Sequence, residues 1–335
     1  NPSFVNQAGN IDFNWWAVEH STNDVATEIA SVVGSDNSVH VAYFDDVNDN
    51  IKYAYFDGAT WNNETVWSHG MMGDKSLVAD LDIAIDSNDY VYISFRDDLS
   101  NFGDDNYVGL FSNRNGNWQN ITTGGWSNPY GGFGNSITID NSDTVHVIHG
   151  GINSNELLYH SWSNGISQPN PCPSFPYSGG LVGEESIASN ANGDVFIVFA
   201  NSSGLHLANC SNGVWSVQNV ISQNIASGVS LKLSTTGNPM ISFRDTVTNY
   251  LKFVNFDMST NNWQTIILDN GNVEMQTSMV VNQNDEISVI YYSGNSVNVA
   301  QQIDGIWQTP YFIDAPKGGD AGRHISADID SYGMP

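Results

Sequence analysis

Residues 35–61 read SDNSVHVAYFDDVNDNIKYAYFDGATW, and no other feature limits the possible folds as tightly. A polar turn, Ser35-Asp36-Asn37, precedes a strand over Val39–Phe44 in which side chains alternate. An acidic loop, Asp45 to Asn50, reverses the chain into a second strand, Ile51–Phe56. Asp57-Gly58 turns it again, and a third run starts at Trp61. Period-two alternation between Asp, Asn and Gly turns is the mark of antiparallel hairpins.

A short apolar run at about 28–33 adds a strand ahead of these three, giving a four-strand unit, A to D. The unit recurs. Strand A is Leu81–Ile85 in the second copy, Ser136–Ile139 in the third, and near 186–189 in the fourth. It is Leu231–Ser234 in the fifth copy and Ser278–Val281 in the sixth. Strand B follows as Tyr90–Phe95, Thr144–His149, Val195–Phe199, Met240–Phe243 and Ile287–Tyr292. Six units at a spacing of roughly 45–50 residues read as a radial repeat. A seventh opens at Arg323, where HISADIDSYGMP matches strand A and the A–B turn. Residues 1–20 are strand-like, and Ile11–Val18 is expected to supply the outer strand of that last unit. The expected fold is therefore all-β: one domain over 1–335, a seven-bladed β-propeller of four-stranded antiparallel blades. Its last blade is closed by N-terminal and C-terminal strands, which removes the free sheet edge. A β-sandwich pair would not repeat one turn grammar six times, and a β-helix needs shorter parallel coils.

Trp61, Trp118, Trp215, Trp263 and Trp307 recur at or near the start of strand D. A large amphipathic ring there can pack on the neighbouring blade while its N–H reaches a backbone carbonyl. Trp67 and Trp126 fall in connections between blades, where a ligand can meet them.

Charge narrows the partners. There are 36 Asp and Glu against 9 Lys and Arg, a formal net charge of −27. Nucleic acid needs a basic footprint and anionic membranes repel such a surface, so neither is an expected partner. No apolar run is long enough for a transmembrane helix, and direct membrane insertion is not expected. The sequence given starts at Asn1 without Met or a signal peptide, which reads as a processed or excised segment. Cys172 and Cys210 can pair or stay free. Four sequons, at Asn63, Asn120, Asn201 and Asn209, matter only in a glycosylating secretory route.

The repeat resembles the extracellular propeller repeats whose units carry an H-[IV]-[AS]-Y strand, an L-K-Y-A strand and a D-G-x-x-W turn. The matching residues are His40-Val41-Ala42-Tyr43, Ile51-Lys52-Tyr53-Ala54 and Asp57-Gly58-Ala59-Thr60-Trp61. Gly237 to Phe243 and Leu251-Lys252-Phe253-Val254 repeat the likeness. The turns Asp57-Gly58, Asn212-Gly213 and Asp304-Gly305 also look like degenerate sialidase Asp-boxes, which are hairpin devices and not catalytic groups. The resemblance implies an extracellular or cell-surface module that recognises a glycan or a surface protein through loops on one face, without catalysis. A sialidase-like glycoside hydrolase, or another glycan-acting enzyme, is the alternative, and a structural subunit of a surface assembly is a third.

Candidate residues follow from the expected placement. Arg96 and Arg244 close strand B in the identical sequence Ile-Ser-Phe-Arg-Asp, and Arg323 opens the seventh strand A. Three of the four arginines would face one side and could clamp a carboxylate. The structural alternative pairs each with a neighbouring acid, Asp97, Asp98 or Asp245. Sialidase chemistry would draw on Tyr43 with Asp45, or on Glu184 and Glu185. The oxygen-rich loops holding Asp45, Asp46 and Asp49, and Asp97, Asp98, Asp104 and Asp105, are candidate Ca²⁺ sites without EF-hand spacing. The eight histidines form no zinc motif, and His146 and His149 are read as packed or hydrogen-bonded strand residues.

Overall fold

A computed structural model describes residues 28–45, 47–68, 77–98, 107–121, 131–151, 157–163, 166–167, 172, 181–223, 226–257, 260–314 and 324–335. For 77–79, 96–98, 107, 131–133, 151, 166–167, 181–184, 275 and 314 the backbone alone is described.

Six antiparallel sheets follow one another along the chain. The first is β1 (Ile29–Val33), β2 (Val39–Asp45), β3 (Asn50–Phe56) and β4 (Trp61–Ser68). The second is β5 (Leu77–Ile85), β6 (Val91–Asp98), β7 (Tyr107–Ser112) and β8 (Gln119–Asn120). The third is β9 (Gly131–Ile139), β10 (Thr144–Gly151), β11 (Leu157–Ser163) and β12 (Ile166–Ser167). The fourth is β13 (Leu181–Ser189), β14 (Val195–Asn201), β15 (Gly204–Ser211) and β16 (Val214–Ile221). The fifth is β17 (Ala226–Leu233), β18 (Pro239–Asp245), β19 (Leu251–Asp257) and β20 (Asn262–Asp269). The sixth is β21 (Val273–Val281), β22 (Ile287–Ser293), β23 (Ser296–Ile303) and β24 (Ile306–Trp307), with β25 (Tyr311–Asp314) also pairing β23. The fourth strand expected to start at Trp307 is thus split in two. Pro310 falls in the break and has no N–H to give the ladder.

Each sheet is dry inside and wet outside. The second strand is nearly all buried in β2, β14 and β22, whereas β4, β16 and β20 are mostly exposed. Apolar clusters sit between sheets: one joins the first and second, another the fourth and fifth. The tryptophans wedge these junctions. Trp118 meets Tyr53 edge-on at 5.0 Å, Trp215 meets Tyr159 at 5.6 Å, and Trp307 meets Phe253 at 5.1 Å, each on the preceding sheet. Their N–H groups do not follow the sequence expectation. Trp118 Nε1 donates to Glu64 at 2.8 Å, not to a carbonyl. The buried N–H groups of Trp61, Trp263 and Trp307 have no partner among the described residues. The area that such a ring buries offsets the lost hydrogen bond.

One turn geometry links the first and second strands, and it occurs seven times among the described residues. In each, the residue at position four donates its N–H to the carbonyl of position one, as Asn37 does to Gly34 and Gly333 to Asp330. Position four has positive φ and is Asn37, Asp89, Asp143, Gly193, Gly237, Asp285 or Gly333, the residue types that tolerate it. Neighbouring turns are tied: Ser35 binds Asp89, Ser87 binds Asp143, Thr235 binds Asp285, and the Ser331 N–H binds Asn37.

A second set of ties lies at the inner strands. A serine four residues ahead of the turn accepts the N–H of the next sheet's first strand. Leu231 donates to Ser186, Met279 to Ser230, Ala327 to Ser278, and Ser31 to Ser326. Asp82 does the same for Ile137 at 2.9 Å. The segment from Ile325 to Ile329 therefore touches both the sixth sheet, through Val280, Ile290 and Val299, and the first.

Cys172 and Cys210 form a disulfide, which resolves the open alternative. Both are buried, and they join the segment after the third sheet to β15 of the fourth.

Replacing one inner serine tests these ties. Ser230→Ala removes the acceptor of the Met279 N–H and should lower unfolding stability by about 1 kcal/mol in a urea titration. An unchanged midpoint would show that the tie contributes nothing.

Candidate functional site

The first strands of all six sheets, with residues 324–328, surround a cavity of about 600 Å³. Its character changes along its length. Toward the turns it is lined by Ile85, Ile139 and Leu231; at the other end, where these strands begin, it is polar.

That polar end has a structural cause. In the second to sixth sheets the pairing of first and second strands slips near the start of the first strand, as between Ala79 and Asp82 or Ser227 and Ser230. Such bulges re-aim side chains. The residue two before the inner tie position lines the cavity end in six copies, as Glu28, Asp80, Gly134, Gly228, Gln276 and His324. The repeat that fixes the scaffold is thus least repetitive here.

Asp80 has φ +55, and it alone among the described non-glycine residues has a positive φ inside a strand. Its carboxylate accepts the Gly134 N–H at 3.1 Å, and its carbonyl accepts from Asn135 Nδ2 at 2.8 Å. The Glu185 carboxylate lies over Gly134, so close that a Cβ there would stand 2.2 Å from it. Gly134 therefore keeps the two carboxylates side by side. Glu28 and His324 approach to 3.5 Å at the same end. Deeper in, burial pushes the Asp82 carboxyl up, against the N–H groups of Ile137 and Ile83, the Ser136 hydroxyl and the Lys232 charge.

The residues singled out in the sequence divide into several groups. Arg244 does not pair with Asp245. Its guanidinium donates to the Val273 carbonyl at 2.8 Å, to Ser227 at 3.3 Å and to Asn249 at 2.5 Å. Asp245 instead binds Lys252 and the N–H groups of Val247 and Thr248. Burial works against its ionisation, yet these partners hold it below the usual carboxylate range. The reason is geometric: successive strand side chains point to opposite faces, so Arg244 and Asp245 cannot share a partner. Arg96 is described in its backbone only, and Arg323 lies outside the described residues.

Asp45 repeats the Asp245 arrangement. It is buried, accepts from Val47 N at 3.1 Å, Asn48 N at 3.1 Å and Asn48 Nδ2 at 2.8 Å, and lies 3.8 Å from Lys52. Asp49 is the positive-φ residue of that turn. Asp46, Asp104 and Asp105 lie outside the described residues, as does Trp126; Asp97 and Asp98 are described in backbone only. Among the described residues no group of three His, Cys, Asp or Glu could hold a metal ion. Trp67 is half-buried and packs on Phe95 of the second sheet at 5.6 Å. Tyr43 is buried beneath Lys52.

Among the described residues the strand histidines are packed or hydrogen-bonded, as expected for His146 and His149. His146 binds Tyr159 at 2.7 Å, and His40 binds Tyr53 at 2.6 Å. His149 stacks on His160 at 5.3 Å and 2°. The sequence reading missed the cavity-end set, except Glu184 and Glu185 as isolated acids. The signal was present two residues before Ser278 and Ser326, where Gln276 and His324 stand in place of the glycines found before Ser136 and Ser230.

No protein-family model matches this chain, and no curated protein matches it. Solved structures do. AofleA from Arthrobotrys oligospora, in a triple arginine-to-alanine form, is 14% identical with a TM-score of 0.58, over 90% of this chain and 91% of that one. A Hadza microbial sialidase is 13% identical with a TM-score of 0.53, over 83% and 66%. An ulvan lyase, from a family of polysaccharide lyases, is 11% identical with a TM-score of 0.55, over 82% and 80%. At these identities the likeness is one of fold: a propeller-like, all-β repeat architecture.

The buried imidazole pair makes stability depend on pH. Burial holds His149 down to about 4 and His160 down to about 3, from 6.5. As pH falls below 6.5 the unfolded chain takes up protons that the folded one refuses, so stability drops through that window down to the folded values. The His149→Gln/His160→Gln variant should show a smaller loss of urea midpoint between pH 7 and 4.5 than the parent. An equal loss would exclude the pair as its source.

Proposed function

We propose that this protein engages a glycan at the polar end of the axial cavity. The observation that carries the reading is that cavity, concave and lined there by carboxylates and amides from successive sheets. Sugar hydroxyls need such convergent hydrogen-bonding groups, and ligand sites favour such concavities. The fold shared with a sialidase and with a polysaccharide lyase supports the same reading and weighs toward a glycan-acting enzyme. Non-catalytic binding stands as the second reading. It is favoured by the structural occupation of Tyr43, Asp45 and Arg244, groups that a sialidase-like mechanism would draw upon. A glycan array run beside a broad hydrolase and lyase screen separates the two. Turnover of any glycan establishes the enzyme, binding alone establishes the recognition module, and neither would overturn both.

We further infer a ring of seven blades, the last combining Ile325–Asp330 with strands from residues 1–20. The ties from Ser326 and Asp328 to the first sheet, and from Ser278 to Ala327, support it. Removal of residues 1–20 should then lower the urea midpoint and expose apolar surface to a dye such as ANS. An unaltered protein would refute closure by that segment. An extracellular or cell-surface setting accords with the disulfide. Calcium in the acidic loops is a separate proposal. Metal analysis at millimolar calcium that finds no bound ion would sink it.

A further inference from the structure

The geometry points to a site for a neutral sugar residue, and against an acidic one, between Asp80, Asn135 and Glu185 at the cavity end. This inference rests on the glycan reading above and adds the class of sugar.

The first observation is charge. Among the described residues, five carboxylates line the cavity, from Glu28, Asp80, Asp82, Glu185 and Asp328, against one lysine and one histidine. The histidine, His324, is already 3.5 Å from Glu28. Lys232 acts on Asp82, farther along the cavity. The cationic group closest in kind to a carboxylate clamp, Arg244, is bound to a carbonyl, a serine and an asparagine. A sialic or uronic acid entering here would bring like charge against like charge, which is strongly unfavourable in a desolvated contact.

The second observation is independent of charge. Asn135 is 8% exposed and lines the same cavity. Its Nδ2 is fully used, at 2.8 Å from the Asp80 carbonyl and 2.8 Å from Ser94 Oγ. Its Oδ1 is buried and has no partner among the described residues. The equivalent residue of the sixth sheet, Thr277, spends its hydroxyl on Ser242 and on the Gly228 carbonyl. The Asn135 position thus keeps a lone acceptor where its counterpart does not. A buried acceptor without a donor is costly, and a ligand hydroxyl is a donor of the right kind.

The third observation is the shape of the floor. Gly134 carries the Asp80 hydrogen bond on its N–H and the Glu185 carboxylate over its Cα. Both carboxylates thus meet the same glycine. Ionised carboxylates accept from hydroxyls in strong, charge-assisted bonds. Acceptors dominate this floor, and a neutral pyranose presents several donors. A metal ion is the competing occupant, but no group of three metal-ligating side chains occurs among the described residues.

Saturation-transfer NMR on the whole chain is the test. The probes are neutral gluco-, galacto- and manno-oligosaccharides, and oligosaccharides ending in sialic or glucuronic acid. The expected result is transfer to a neutral probe and none to the acidic ones, with binding of that probe at least 10-fold weaker in Asn135→Ala. In Asp80→Asn/Glu185→Gln the bias against acidic probes should shrink. This second variant keeps side-chain size and serves if Asn135→Ala does not fold. Preference for acidic probes, or neutral binding unchanged in both variants, would overturn the neutral-sugar site while leaving the glycan reading in place. Calcium binding in titration calorimetry that is lost in the double variant, without any sugar signal, would overturn it in favour of a cation. Silence from every glycan, in NMR and on the array, would overturn the glycan reading itself.

Discussion

The structure depends on one recurring contact: a serine hydroxyl of one first strand accepting the N–H of the next. A four-stranded sheet has two faces to cover, and none of these sheets can do so alone. Sideways stacking covers the faces, but apolar surfaces by themselves leave the stacking angle and register free. The serine ties fix both. Each links the same two positions, from Ser186 and Leu231 round to Ser326 and Ser31. The tryptophans then fill the wider outer part of each junction, as Trp118 does against Tyr53. Inner hydrogen bonds and outer aromatic wedges thus hold successive sheets side by side.

The candidate site is a by-product of that stacking. Bringing the first strands together around an axis gathers one position from every copy at one cavity end. Where the repeat must hold shape, residues recur: Ser230 and Ser278, or Asp45 and Asp245. At the cavity end they diverge into Glu28, Asp80, Gly134, Gln276 and His324. Asp80 shows the cost of this arrangement, since an aspartate at φ +55 inside a strand is held there by its surroundings.

Much of the scaffold was legible along the chain. Alternation located nearly every strand, because β-strand side chains have a period of two whatever they pack against. The turns were legible too: Gly58, Gly213 and Gly305 all have positive φ, as their Asp-Gly and Asn-Gly settings demand. Other features were not. Arg244 and Asp245 are adjacent in sequence and look like a pair, yet opposite faces send one to Val273 and the other to Lys252. The loop of Asp45 looks like a cation site, yet its oxygens cap their own turn. Local composition shows which groups are present but not which long-range partner claims them.

Local patterns along the chain specify an all-β repeat with recurring tryptophans, turns needing left-handed residues and an acidic composition. These rest on local rules of sterics, alternation and charge. Long-range packing alone brings Cys172 to Cys210, ties the sheets through the inner serines, and gathers Asp80, Asn135 and Glu185 at one cavity end. Residues 55 and 105 positions apart meet there because successive sheets carry them back to a common axis. No local pattern encodes that distance. The packing of whole sheets does.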